Sequence, residues 1–183
     1  MHLRRRLCGI AASLIAIAAL GVTATQAQPA ATERVTGDDG RYSIDMPRGY
    51  TSTASPRPDG GAMRQLSYIW KDSVGQYNII ELAVIDPPPG STKQIDIWEA
   101  QRLLQARYPN SVLADSRDIQ LGPAKGVSFA ITVNSNRGQG PHVLAFKVYA
   151  LDGRLYEMLA ATRLEDRGDP TVAAFMNALR INR

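Results

Sequence analysis

"VYALDGRLYEML" (residues 148–159) reads as two strand arms around an Asp152-Gly153 turn, because Asp-Gly between alternating apolar residues marks a two-residue hairpin loop. That turn predicts Val148 opposite Glu157, Phe146 opposite Leu159 and Leu144 opposite Ala161, which makes one mostly apolar face. The other face carries Lys147, Tyr149, Arg154, Tyr156 and Met158. A carboxylate at Glu157 is therefore set among residues that favour burial, and it would need a partner, solvent or a proton.

The neighbouring segments extend the same pattern. Residues 63–70 and 76–85 are predicted strands, and in the second both alternating sets are largely apolar: Ile80, Leu82 and Val84 against Tyr77, Ile79, Ala83 and Ile85. A strand apolar on both faces is covered on both faces, which points to helices above and below the sheet. "DPPPG" (86–90) ends that strand, since proline cannot donate to a ladder. Residues 124–134 form a further strong strand, with short ones near 112–114 and 117–121.

Two helices are predicted. Over 91–108, Ile97, Ala100, Leu104 and Tyr108 share one face, with Ser91 and Gln94 as a capping box or Asp96 and Glu99 as a start one turn later; Pro109 stops it. In "GDPTVAAFMNALRINR" (168–183), Asp169 caps, Pro170 takes the first helical position, and Val172, Phe175, Met176 and Leu179 form the stripe that docks on the sheet. At the other end, "RYSIDMPRGY" (41–50) alternates Tyr42, Ile44 and Met46 inward as a half-buried strand, and a breaker cluster spans 55–62.

The first 27 residues read as a secretory signal peptide: Arg4, Arg5 and Arg6, an apolar run from Leu7 to Val22, and small residues before a cleavage site between Ala27 and Gln28. The apolar run is shorter than the roughly 20 residues a spanning helix needs. An uncleaved anchor is the competing reading, and the Arg cluster leaves both the general secretory and the twin-arginine routes open, the motif fitting the latter poorly. Residues 28–40 are read as a flexible arm and 41–183 as one domain.

Removing the leader takes three of the 21 basic residues and none of the 17 acidic ones, leaving a net charge of +1 in place of +4. Nucleic acid and anionic membranes therefore lose their electrostatic argument as partners. The single cysteine, Cys8, leaves with it, so a mature chain has no disulfide, no cysteine nucleophile and no thiolate metal site. No cofactor is expected.

"YSIDMPRGY" (42–50), "YALDGRLYEM" (149–158) and "FMNALRI" (175–181) together resemble the PsbP-like superfamily, a fold shared by the PsbP extrinsic subunit of photosystem II, a yeast Ran-binding nuclear import factor and many exported bacterial domains. The resemblance covers most of residues 41–183 and implies an α+β fold, an antiparallel sheet flanked by helices on both faces as an α/β/α sandwich. It implies binding and assembly rather than catalysis, and it brings no catalytic residues to carry over.

The chemistry-bearing residues agree with that expectation. His142 is the one histidine beyond the leader, and no glycine-flanked serine stands on a strand-to-helix turn as a hydrolase nucleophile would. "RGQGPH" (137–142) precedes a strand, whereas phosphate loops open a helix, and "GDDG" (37–40) lacks the later acidic ligands of a calcium loop. Two carboxylates, Glu81 and Glu157, interrupt apolar strands. Glu157 can meet an arginine, reach solvent past a helix edge, or serve as a functional carboxylate, a glycosidase-type pair with Glu81 included.

The opposite hairpin face of Lys147, Tyr149, Arg154, Tyr156 and Met158 has the composition of a protein-contact surface, or of a tyrosine pair under a covering element. The expected function is an exported, non-enzymatic domain that binds another envelope protein through a sheet face or edge. A carrier of a small apolar or amphipathic ligand and a carboxylate hydrolase are the competing expectations.

Overall fold

The computed structural model describes residues 30–72, 74–91, 94–134 and 140–182. The expected leader over 1–27, the expected cleavage site at Ala27 and Gln28, and most of the loop following Asn134 lie outside the described residues.

The hairpin folds as its sequence dictates. β8 (Pro141–Leu151) and β9 (Arg154–Arg163) pair in the register read above, with Val148 opposite Glu157 and Tyr149 opposite Tyr156. Asp152 and Gly153 both take positive φ, 51° and 77°, as the tight turn between right-twisting strands demands.

Around that hairpin a seven-stranded sheet assembles in the order β3-β4-β5-β9-β8-β7-β6, every neighbour antiparallel. Its other members are β3 (Thr51–Pro56), β4 (Ala62–Lys71), β5 (Tyr77–Asp86), β6 (Val112–Leu121) and β7 (Ala124–Asn134). A second sheet of β1 (Thr32–Thr36), β2 (Tyr42–Pro47) and β10 (Arg180–Ile181) runs in the order β1-β2-β10.

Alternation along the large sheet separates two cores. Val127, Phe129, Ile131, Leu144, Phe146 and Val148 gather under Leu104 of α1 (Ile97–Ala106), which packs on β7 and β8. Phe129 and Phe146 stack there with ring centroids 4.8 Å apart. The opposite face of the sheet carries the other core: Leu66, Ile80, Leu82, Val84, Tyr156 and Met158 are buried with Ile44 and Met46 of β2 and with Val172 and Phe175 of α2 (Pro170–Met176).

Four sequence expectations change. The sandwich is antiparallel and sheet-rich, but the second cover is largely β1-β2-β10, since the Tyr42, Ile44 and Met46 alternation builds a separate small sheet and α2 adds only two turns to it. The stretch read as an arm contains β1, anchored by burial of Val35 and by the Arg34–Asp45 ion pair at 2.9 Å. β3 was missing from the pattern because its six residues are all exposed. β6 is one strand interrupted between Ala114 and Arg117, where two short ones were expected.

Both helix caps come from aspartate: Asp96 accepts from the Trp98 amide at 2.9 Å, so the later start wins over Ser91, and Asp169 accepts from the Thr171 amide at 2.7 Å. Among the described residues no helix is long and apolar enough to cross a membrane.

Candidate functional site

The Asp152-Gly153 turn places Arg154 at the start of β9, on the same face as Tyr156. Beside it β5 ends at Asp86, stopped by the prolines that follow. Arg154 Nε donates to Asp86 Oδ1 at 2.5 Å, and Nη2 pairs with Asp39 Oδ2 at 2.7 Å. Asp39 belongs to the "GDDG" turn between β1 and β2, which the Gly40 amide closes on the Gly37 carbonyl at 2.8 Å. Gly37 has to be glycine, because a Cβ there would stand 2.4 Å from the Tyr42 ring. The adjacent Asp38 accepts from Arg64 Nη1 of β4 at 2.8 Å.

These pairs line a cavity of about 540 Å³ that also takes in Tyr42, Val84 and residues 54–56 of β3. Its size falls in the range of small-ligand sites. Charge is distributed unevenly through it: the side chains of Asp38, Asp39 and Asp86 are 94%, 39% and 38% exposed, those of Arg64 and Arg154 only 28% and 12%. Acid thus faces solvent while base lies behind it.

Protonation follows that layering. Burial acts to lower the pKa of Arg154, but hydrogen bonds to Asp39, Tyr156 and Asp86 outweigh it and hold the guanidinium charged. The hydrogen bond from Arg154 keeps Asp39 below the usual carboxylate range, with burial working against it. Burial raises the phenols of Tyr42 and Tyr156. Two groups in this layer have hydrogen-bonding capacity left over: the Tyr42 hydroxyl and Arg154 Nη1 are buried without a partner.

Of the expected contact face, Arg154 alone lines this cavity. Tyr149, Tyr156 and Met158 are core residues, and Tyr156 meets Tyr42 edge-on at 5.9 Å. The contact-surface reading of that face is therefore corrected: β2 and α2 already cover it, so its aromatic composition serves packing. Lys147 is half-buried, and its ammonium donates to the Met176 carbonyl at 2.8 Å and to Asn177 Oδ1 at 3.0 Å, closing the end of α2. Burial, with Arg117 nearby, lowers its pKa.

Glu157 lies on the α1 side of the sheet, 9% exposed, and among the described residues its carboxylate makes neither hydrogen bond nor ion pair. Burial raises its pKa, Arg107 counteracts, and Glu81 adds to the rise. Glu81 does share this face, diagonally across β5 and β9, where it accepts from Ser67 Oγ at 3.4 Å. Neither carboxylate lines the Arg154 cavity. His142 sits at the start of β8 with Nδ1 3.2 Å from the Gly140 carbonyl. Among the described residues no three His, Cys, Asp or Glu are placed to hold a metal ion.

The sequence offered a trace of the cavity in the paired aspartates of "GDDG" and in Asp86 before the prolines. It offered no means of joining them, because Asp39, Arg64, Asp86 and Arg154 stand on four separate elements.

No protein-family model matches the chain, and no curated protein matches it. Solved structures do overlap it in part. The solution structure of a cyanobacterial PsbP from Synechocystis is 9% identical, covers 85% of this chain and 95% of its own, and superposes with a TM-score of 0.49. Mycobacterium tuberculosis LpqN, described as involved in cell envelope biogenesis, is 12% identical with coverage of 84% and 91% and a TM-score of 0.47. A Pseudomonas aeruginosa protein of unknown function is 11% identical, with coverage of 74% and 85% and a TM-score of 0.43.

Proposed function

We propose that the chain is an exported, non-enzymatic binding domain of the cell envelope that acts through contacts with another envelope protein. The leader-like first 27 residues support export, and the chemistry supports binding. The observation that carries the reading is the cavity beside β3: its arginines are engaged in structural ion pairs while its carboxylates face outward, an arrangement that holds a ligand without activating one.

Two measurements test it. N-terminal sequencing of the chain from fractionated cells should find Gln28 first and the protein outside the cytosol; a cytosolic chain retaining Met1 sinks the export half. Immobilised chain should retain a specific protein from envelope extract and not from cytosolic extract, and equal retention from both sinks the envelope half.

A small-molecule carrier is the second reading, favoured by a cleft of about 290 Å³ between the start of α1 and the sheet, where Ile85, Ile95, Leu103 and Leu155 supply apolar wall beside the charged Arg57 and Glu99. An amphipathic molecule co-purifying in native mass spectrometry, and lost on Leu103→Asp, would support it; a chain of unadorned mass would not.

A further inference from the structure

We propose that β3 is a docking strand for an extended segment of a partner protein, and that the Arg154 cavity receives a basic side chain from that segment. The inference rests on the binding-domain reading above and specifies its surface and the chemistry of its partner.

The two edges of the large sheet differ. At one, β6 is interrupted by a register shift between Ala114 and Arg117, with Asp115 at φ 55° and Asp118 nearby, the irregularity and charge by which natural edges block further pairing. At the other, β3 pairs regularly with β4 from Thr51 opposite Ser67 to Pro56 opposite Ala62, and nothing pairs with its outer side among the described residues. Its sequence, Thr-Ser-Thr-Ala-Ser, is small, uncharged and wholly exposed, with proline only at the last position. An unpaired regular edge of this kind presents a row of free backbone donors and acceptors.

The cavity adjoins the same strand. Residues 54–56 of β3 form part of its wall, so alternate side chains of a strand laid along β3 pass the cavity on the face that carries Ala54. What such a side chain meets is set by the layering of charge. The three aspartates are the exposed groups and the two arginines the sheltered ones, with Arg154 holding Asp39 and Asp86 through Nη2 and Nε and its unpartnered Nη1 buried behind them. A carboxylate or phosphate entering there would face acid first. An ammonium or guanidinium would meet Asp38, whose side chain is 94% exposed, and further in the Tyr42 hydroxyl, which lacks a partner and can accept a hydrogen bond. Val84, Ala62 and Met63 supply apolar wall for the stem of a lysine or arginine.

The test uses the purified chain and short synthetic peptides of alternating threonine and valine whose central residue is Lys, Glu or Thr. Fluorescence anisotropy should show the Lys peptide binding at least about tenfold tighter than the Glu peptide at low salt, a preference that shrinks as salt rises. Asp38→Asn, a change at an exposed side chain, should cut the preference for Lys over Thr severalfold. Hydrogen exchange should slow at β3 amides when the Lys peptide binds, and Thr53→Pro should abolish binding.

Equal affinity for the Lys and Glu peptides overturns the cavity assignment. No binding at millimolar peptide, or binding that leaves β3 exchange unchanged, overturns the docking strand; the exchange measurement decides this even where Thr53→Pro fails to fold. Self-association of the chain through β3 without peptide binding also overturns it, in favour of a second copy. An envelope protein still retained by folded Thr53→Pro would keep the binding-domain reading and remove this inference alone.

Discussion

Replacing Arg154 by methionine removes the guanidinium that ties the β1–β2 turn and the end of β5 to the β8–β9 hairpin, while keeping most of the apolar stem. Two charge-assisted contacts are lost, to Asp86 at 2.5 Å and to Asp39 at 2.7 Å. Such bonds contribute roughly 1.5–3 kcal/mol each when buried. Both aspartates are more than a third exposed, so solvent screens the pairs toward the surface value of about 0–1 kcal/mol. Methionine also escapes the cost of burying a charge, leaving a net loss of about 1–2 kcal/mol at pH 7. In a domain of this size that lowers Tm by roughly 2–8 °C.

The pH dependence has a definite sign. Asp39 holds its proton less readily in the fold than in the unfolded chain, so its pairing with Arg154 stabilises above the unfolded carboxylate pKa of about 4 and is lost as pH falls through the lower folded value. Urea unfolding followed by circular dichroism should therefore show a full gap between wild type and Arg154→Met at pH 7, narrowing below about pH 4. A double-mutant cycle with Asp39→Asn should give a positive coupling at pH 7. A gap of the same size at pH 7 and pH 3, or strictly additive single changes, would refute the reasoning.

Three further outcomes follow from the same geometry. Tyr156→Ala should cost about 3–5 kcal/mol, as truncation of a buried aromatic does, so loss of partner binding in that variant would report unfolding and not a contact; an unchanged Tm would contradict its place in the core. Glu157→Gln should gain on the wild type as pH rises from 4 to 7, because a raised folded-state pKa makes the carboxylate destabilising once it ionises; a loss of stability at pH 7 would reveal a partner for the charge. Gly126→Ala would place a Cβ 2.4 Å from the Val148 carbonyl oxygen and should cost about 1–3 kcal/mol, whereas Gly168→Ala, with nothing within 4 Å, should be close to neutral in urea unfolding.

How far the sequence reached depended on whether the deciding interaction was local. The β8–β9 register was legible because the Asp-Gly turn sets it within a dozen residues, and every pair read across it holds. The caps at Asp96 and Asp169 are local as well. β3 was not legible because alternation reports burial, and a wholly exposed edge strand has none to report. The tyrosine face had the composition of a contact surface and of a core alike; which one it is depends on β2 and α2 lying over it, and the Tyr42–Tyr156 contact joins residues more than a hundred positions apart. The cavity was hidden for the same reason, its ion pairs joining Asp38 and Asp39 to Arg64 and Arg154 across the fold.

Site-specific photo-crosslinking in living cells tests the central claim most directly, with a benzophenone side chain introduced at Thr53 on the regular edge or at Val112, an exposed position on the interrupted edge. The account predicts a discrete crosslink to one envelope protein from position 53, reduced when Asp38 is replaced by Asn, and none from position 112. Crosslinking from position 112 alone, or from neither, would contradict it.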